Sequence, residues 1–233
     1  MKTRCKKRFL GIFFLMVLLV VGSGTVWGEE LDLPMYLGVE TGYVVPLVNE
    51  SVVGVTGGFE ITPVYRIDMP VLVGMPEWAK KFAFEFNLQM LFNFGTTDIK
   101  SSGDIVLGQK KAFLATIAPQ LLAVYGFDVG SVEIFGGLGL GFNINALKQT
   151  VKETGAEIPI KLKPSFSFVA KGGVAYPIPN SKFSVFGLAK FALNMAGFDN
   201  GGYHDYIGYG GTLGAISIDA GVRYNFHTVT LRK

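Results

Sequence analysis

Residues 82–93 read FAFEFNLQMLFN, in which Phe82, Phe84, Phe86, Leu88, Met90 and Phe92 alternate with Ala83, Glu85, Asn87, Gln89, Leu91 and Asn93. Successive side chains of a strand point to opposite faces, so this spacing predicts a strand with one apolar and one largely polar face. Soluble strands usually run to about five or six residues, and strands that cross a bilayer need about 9–11. This alternation belongs to the second kind.

The same period recurs along the chain. Outward apolar sets are Leu37, Val39, Tyr43 and Val45 in 35–45, and Phe59, Ile61, Pro63, Tyr65 and Ile67 in 53–67. They continue with Phe113, Ala115, Ile117, Leu121, Ala123, Tyr125 and Phe127 in 111–127, and Val132, Ile134, Leu138, Leu140, Phe142 and Ile144 in 131–145. The last three are Phe166, Phe168, Ala170, Val174 and Tyr176 in 165–177, Phe183, Val185, Ala189, Phe191, Leu193 and Met195 in 183–195, and Ile216, Ile218, Ala220, Val222, Tyr224 and Phe226 in 214–226. The fold expected is all-β: an eight-stranded antiparallel transmembrane up-and-down β-barrel. Closure matters because an unpaired backbone group in hydrocarbon costs several kcal/mol.

The connections suggest an orientation. DVGS and PIPNSK are short turns, whereas roughly 95–110, 146–163 and 197–212 read as long loops, the usual periplasmic and outer sides of such a barrel. The connection DMPVLVGMPEWAK, with Trp78, is long and apolar for a periplasmic turn. Tyr65, Phe82, Tyr125, Phe127, Tyr176, Phe183, Tyr224 and Phe226 fall at the periplasmic ends of outward faces, where an aromatic belt suits the headgroup level. Pro63 and Pro119 each remove a ladder hydrogen bond, so a bulge is expected at one or both. A lipocalin-like barrel or sandwich with its apolar face inward is the soluble alternative. A lumen of eight strands is too narrow for this many of the chain's 20 phenylalanines.

Charge and targeting enter next. Lys2, Arg4, Lys6, Lys7 and Arg8 precede the apolar run FLGIFFLMVLLVVG and the small-residue stretch ending at Gly28. This order predicts a secretory signal peptide over 1–28 and a barrel over 29–233 in the outer membrane of a diderm bacterium. The leader holds five of the 21 basic residues and no acid, which leaves 16 bases against 18 acids. A nucleic-acid partner therefore has no electrostatic basis. The single cysteine, Cys5, lies in the leader, so disulfides and thiolate metal sites are not expected.

The segment DAGVRYNF places Asp219, Gly221, Tyr224 and Phe226 at the spacing of the terminal signal of bacterial outer-membrane barrels, with HTVTLRK following Phe226. The chain resembles the small eight-stranded OmpA-, OmpX- and OmpW-like group. That resemblance implies recognition of these four residues by the barrel-assembly machinery, and outer-membrane lipids as surroundings.

Function is sought on the inward face. Glu40, Glu60, Glu85, Glu133 and Asp219 are set against Arg66, Lys171, Lys190 and Arg223, a compensated set rather than a conduit of one sign. Two readings stand. In one, these charges plug a closed barrel of structural or surface-binding (adhesin) role. In the other, the inward apolar residues Leu91, Leu114, Leu122, Val124, Phe135, Val169, Phe186 and Leu188 form a path, and resemblance to OmpW-like members implies passage of small hydrophobic solutes. Gly137, Gly139 and Gly141 follow one another on the lumen face of EIFGGLGLGFNIN, so the space beside them is either filled or a groove.

Catalysis is not expected. His204 sits in the outer loop GFDNGGYHDYIGYGG beside Asp205 without a His-x-Ser arrangement, and His227 falls beyond the last strand. No phosphate loop, metal-ligand cluster or triad spacing is visible, so neither cofactor nor metal is expected. Tyr203, Tyr206 and Tyr209, and the lysines of ALKQTVKETGAEIPIKLKP, leave external ligands as a further class of partner.

Overall fold

The computed structural model describes residues 31–47, 53–69, 82–100, 105–158, 161–162, 164–195, 198–199 and 212–231. Residues 1–30, where a leader is expected, the connection containing Trp78 and the loop containing Tyr203, His204, Tyr206 and Tyr209 lie outside the described residues.

Eight antiparallel strands form the wall: β1 (Leu31–Leu47), β2 (Gly57–Asp68), β3 (Phe82–Lys100), β4 (Val106–Val129), β5 (Val132–Val151), β6 (Ser165–Pro177), β7 (Phe183–Met195) and β8 (Thr212–Leu231). Each strand pairs with the next along the chain, and β8 closes on β1 from Leu31↔Leu231 to Leu47↔Gly214. Glu157–Ile158 folds back onto β5, and Lys161–Leu162 pairs with Phe198–Asp199.

The alternation decides which face looks where. Leu140, Phe166 and Ile218 are 65%, 66% and 73% exposed on the outside, while Glu40, Glu60 and Lys190 are 1%, 0% and 2% exposed inside. A soluble barrel would invert this, so the lipocalin-like alternative is set aside. Apolar surface on that scale is stable only against hydrocarbon.

Rings mark both rims. Phe82 lies 5.2 Å from Tyr125, Phe183 4.8 Å from Tyr224 and Tyr65 6.3 Å from Phe226 at the short-turn end. A second belt, missed in the sequence, runs through Phe59–Phe92 (5.1 Å), Phe94–Phe113 (5.1 Å) and Phe142–Phe166 (5.4 Å) at the loop end.

Four expectations are corrected. No register shift accompanies Pro63 or Pro119: the β2–β3 ladder passes from Ile61↔Met90 to Val64↔Asn87, and β4–β5 from Ile117↔Ile144 to Gln120↔Gly141. Each proline drops pairing on one side while Val39↔Pro63 and Leu88↔Pro119 continue on the other, because a residue directs its N–H to only one neighbour. The shifts lie elsewhere, leaving Phe226 extra between Met35↔His227 and Tyr36↔Asn225, and Leu107 extra between Ile99↔Gly108 and Lys100↔Val106. Residues 95–100, 106–110 and 146–151, read as loop, are strand, held by the β3–β4 and β4–β5 ladders above the membrane band. The residues after Phe226 likewise continue β8 to Leu231 against β1. Residues 53–56, read as the start of a strand, are not part of β2.

Tight turns seal the other end. Gly130 takes φ of 64° between β4 and β5, a left-handed conformation that glycine adopts without strain.

Candidate functional site in the lumen and its outer mouth

Two lysines cross the lumen. Lys171 on β6 reaches Glu40 on β1 at 3.0 Å and Glu85 on β3. Lys190 on β7 reaches Glu40 at 2.8 Å, Glu60 on β2 at 2.5 Å and Asp219 on β8 at 3.8 Å. Arg66 on β2 spans to Glu133 on β5 at 3.0 Å, stands 3.9 Å from Glu85, and Arg223 on β8 meets the same Glu133. All nine charged positions read from the period-two pattern thus join one network. Its members come from every wall except β4, because the lysine stems are long enough to span so narrow a barrel.

Asp68 was missed. It accepts from Arg66 Nε at 2.6 Å, and its place two residues beyond Arg66 on the same face was the available signal. Also unforeseen is an amide relay: Gln89 donates to Glu60 Oε2 at 2.7 Å and Gln120 donates to Gln89 at 2.6 Å.

Glu40, Glu60 and Asp219 place carboxylate oxygens within 4.8 Å of one another. The cation among them is the chain's own Lys190 ammonium. Beyond the relay, Thr116 donates to Asn145 at 2.7 Å and Ser167 donates to Asn143 at 3.4 Å, so amides and hydroxyls follow the charged network, with Lys110 buried further toward the loop end.

The inward apolar residues fall into three separate clusters. Leu122, Val124, Phe135, Val169 and Leu188 pack in one cluster with Phe186 against it. Leu91 belongs to a second cluster with Val44 and Ala215, and Leu114 to a third with Val53, Val55 and Ala112. The glycine row is where the first cluster seats: a Cβ at Gly137 would meet Val124 Cγ2 at 3.0 Å, and one at Gly139 would meet Leu122 Cγ at 2.6 Å. Gly221 faces the Phe186 ring in the same manner. The space beside the glycines is filled.

The outer mouth is occupied by the end of the β1–β2 connection. Val53 and Val55 are 1% and 0% exposed although neither lies in a strand. Gln149 donates to the Val53 carbonyl at 2.5 Å and the Thr56 N–H donates to Phe94 O at 2.9 Å, so the segment is tied to β5 and β3. Gly95 provides the clearance, since a side chain there would overlap the Gly54 carbonyl. Gly54 itself adopts φ of 76°.

A small cavity remains at the short-turn end, lined by Tyr36, Val64, Arg66, Phe135, Phe186 and Arg223 among others. Arg223 stacks over Tyr36 at 5.4 Å there. Of the terminal segment, Asp219 is buried and accepts from Ser217 Oγ at 2.8 Å, while Tyr224 and Phe226 face outward at 36% and 37% exposure.

A closed eight-stranded antiparallel wall, apolar outside, charged inside and ringed by aromatics at both rims, defines a small integral outer-membrane β-barrel. Its fold is that of the OmpA-, OmpX- and OmpW-like barrels. Among solved structures, a major outer membrane protein from Thermus thermophilus is similar at 14% identity and TM-score 0.51, over 83% of this chain and 99% of that one. Neisserial surface protein A is similar at 14% identity and TM-score 0.48, over 82% and 97%. The outer membrane protein OprG from Pseudomonas aeruginosa is similar at 14% identity and TM-score 0.44, over 88% and 99%. No family model and no curated protein matches the chain in sequence.

Proposed function

We propose that this barrel is closed and acts through its outer surface, as a structural or surface-binding protein of the outer membrane. The observation that carries the reading is the pair Lys171 and Lys190, whose ammonium groups cross the lumen to carboxylates on the opposite wall. Bracing of this kind fills a barrel that is only just wide enough for its own side chains. The buried Val53 and Val55 add a second closure at the outer mouth. Passage of apolar solutes would require Leu122, Val124 and Leu188 to leave the seats beside Gly137, Gly139 and Gly173.

Refolded protein in a planar bilayer is expected to carry no unitary current, and apolar solute uptake into vesicles is expected to be the same for the native chain and a Leu122→Glu, Phe186→Glu variant. Stepwise conductance, or uptake that falls in the variant, would overturn the closed reading in favour of a conduit. Catalysis has no part in this proposal; His227, for instance, stacks on Phe226 at 6.4 Å at the short-turn end.

Barrel assembly is the role proposed for Asp219, Gly221, Tyr224 and Phe226. Truncating Tyr224 and Phe226 to alanine is expected to slow insertion by the assembly machinery while leaving detergent refolding intact. Equal loss in both assays would reassign the two rings to stability alone.

A further inference from the structure

Residues 53–56 are buried in the outer mouth without belonging to the wall. Among the described residues they enter no ladder. Gln149 Nε2 donates to the Val53 carbonyl at 2.5 Å, and Phe94 O accepts from the Thr56 N–H at 2.9 Å and from Thr56 Oγ1 at 3.3 Å. Gly54, between these tethers, holds φ of 76°. Local opening breaks only the contacts that a segment makes itself, so this one opens more readily than the paired strands around it.

Those contacts form a layer of their own. Val53 and Val55 pack with Ala112 and Leu114, and Leu147 and Leu162 lie against them. The cluster shares no member with the one around Leu122 or the one around Leu91. The segment can therefore leave without unpacking the lumen below.

Beneath it lies a lysine outside the central ion network. Lys110 faces inward on β4, is 7% exposed, and stands opposite Thr97 in the β3–β4 ladder. A Cβ at Gly54 would lie 3.1 Å from Lys110 Cε, 3.2 Å from Thr97 Oγ1 and 3.2 Å from Ala112 Cβ. Gly54 thus rests directly on Lys110 and Thr97. Burial lowers the pKa of the Lys110 ammonium. Thr97 Oγ1 is buried and finds no hydrogen-bond partner among the described residues. Two apolar side chains hold the segment down over two polar groups that water would stabilise. The opposed terms make a cover that is closed at rest and able to lift.

We propose that residues 53–56 are a strap that lifts from the outer mouth as a unit while the barrel stays folded, uncovering Lys110 and Thr97 to the outside. The open mouth then carries an ammonium that the closed mouth hides. The ion network and the cluster around Leu122 keep their contacts during the movement, so the strap works in a lumen that never conducts.

The test reads amine reactivity in the refolded chain in phosphatidylcholine vesicles, with the membrane-impermeant ester sulfo-N-hydroxysuccinimide acetate as probe. The lysine amine attacks the ester carbonyl, an amide forms, N-hydroxysulfosuccinimide leaves and the amine proton passes to buffer. Peptide mapping follows three lysines in one sample. Lys148, with a side chain 66% exposed at the same end as Lys110, reports open solvent, and Lys171, at 1%, reports unfolding of the whole barrel. Lys110 is expected to react more slowly than Lys148 but to completion, while Lys171 stays unmodified. A Val53→Ser, Val55→Ser variant is expected to speed the Lys110 reaction roughly tenfold, because the apolar burial that holds the strap is gone, and to leave the other two rates unchanged. Lys110 reacting as fast as Lys148 in the native chain, or at one rate in native chain and variant, would overturn the proposal. So would Lys171 reacting in step with Lys110. Folding of the variant is checked by the heat-dependent gel shift. If that shift is lost, the order of the three rates in the native chain decides, and a Lys110 as unreactive as Lys171 would overturn the proposal.

Discussion

Lys190→Met is expected to destabilise the barrel by about 3–5 kcal/mol, measured as the shift in urea midpoint of refolded protein in lipid vesicles. The ammonium lies at 2.8 Å from Glu40, 2.5 Å from Glu60 and 3.8 Å from Asp219. Methionine keeps much of the stem's volume but leaves three carboxylates facing one another in a site of 1% exposure or less. Breaking a buried ion pair from one side is costly because the surviving charge stays desolvated. Neutralising both sides is not. Lys190→Met combined with Glu60→Gln and Asp219→Asn is therefore expected to recover more than half of the loss. If the single variant unfolded at the native midpoint, the network would have no energetic role and the bracing argument would fall with it.

The second large effect concerns the glycine row. Gly139→Ala is expected to cost about 2–3 kcal/mol, because the added methyl would overlap the Leu121 carbonyl and the Cα of Leu122, which are backbone and cannot step aside alone. Gly136→Ala, three residues earlier but on the lipid face, meets nothing nearer than the Lys171 carbonyl at 3.7 Å. It is expected to stay within about 0.5 kcal/mol of the native chain. The contrast isolates packing from strand propensity, since both are glycines in the same strand. Equal effects at the two positions would mean that the lumen beside β5 is not filled.

These two experiments address different layers of the same closure. The ion network spans the walls, and the apolar cluster of Leu122, Val124, Phe135, Val169 and Leu188 fills the side opposite Glu40 and Glu60. Gln89 and Gln120 join the two by extending the Glu60 carboxylate toward β4. Above them, Val53 and Val55 settle over Ala112 and Leu114. A conduit would have to interrupt all of these contacts.

The period-two alternation determined the strands, their inward and outward faces and the membrane setting, because side-chain direction in a strand is a local property of the backbone. Phe82 through Phe92 could be assigned outward, and Glu40, Glu60, Glu85, Lys171 and Lys190 inward, without any knowledge of neighbours. Strand ends were legible only where the apolar face persisted. The Thr96, Asp98 and Lys100 alternation above Phe94 has no apolar side, so its strand character depends on the β4 ladder beside it.

Only the closed barrel decided which inward residues meet. The pairing of Lys190 with Glu60, 130 positions apart, follows from strand order and register around a ring, quantities that no single strand encodes. The placement of Val53 and Val55 followed the same rule: Val-Gly-Val-Thr alternates as a strand would, yet its hydrogen-bonding partners, Phe94 and Gln149, come from β3 and β5. Pro63 and Pro119 kept register because the opposite ladder held each strand in place. Local periodicity sets direction, and closure sets company.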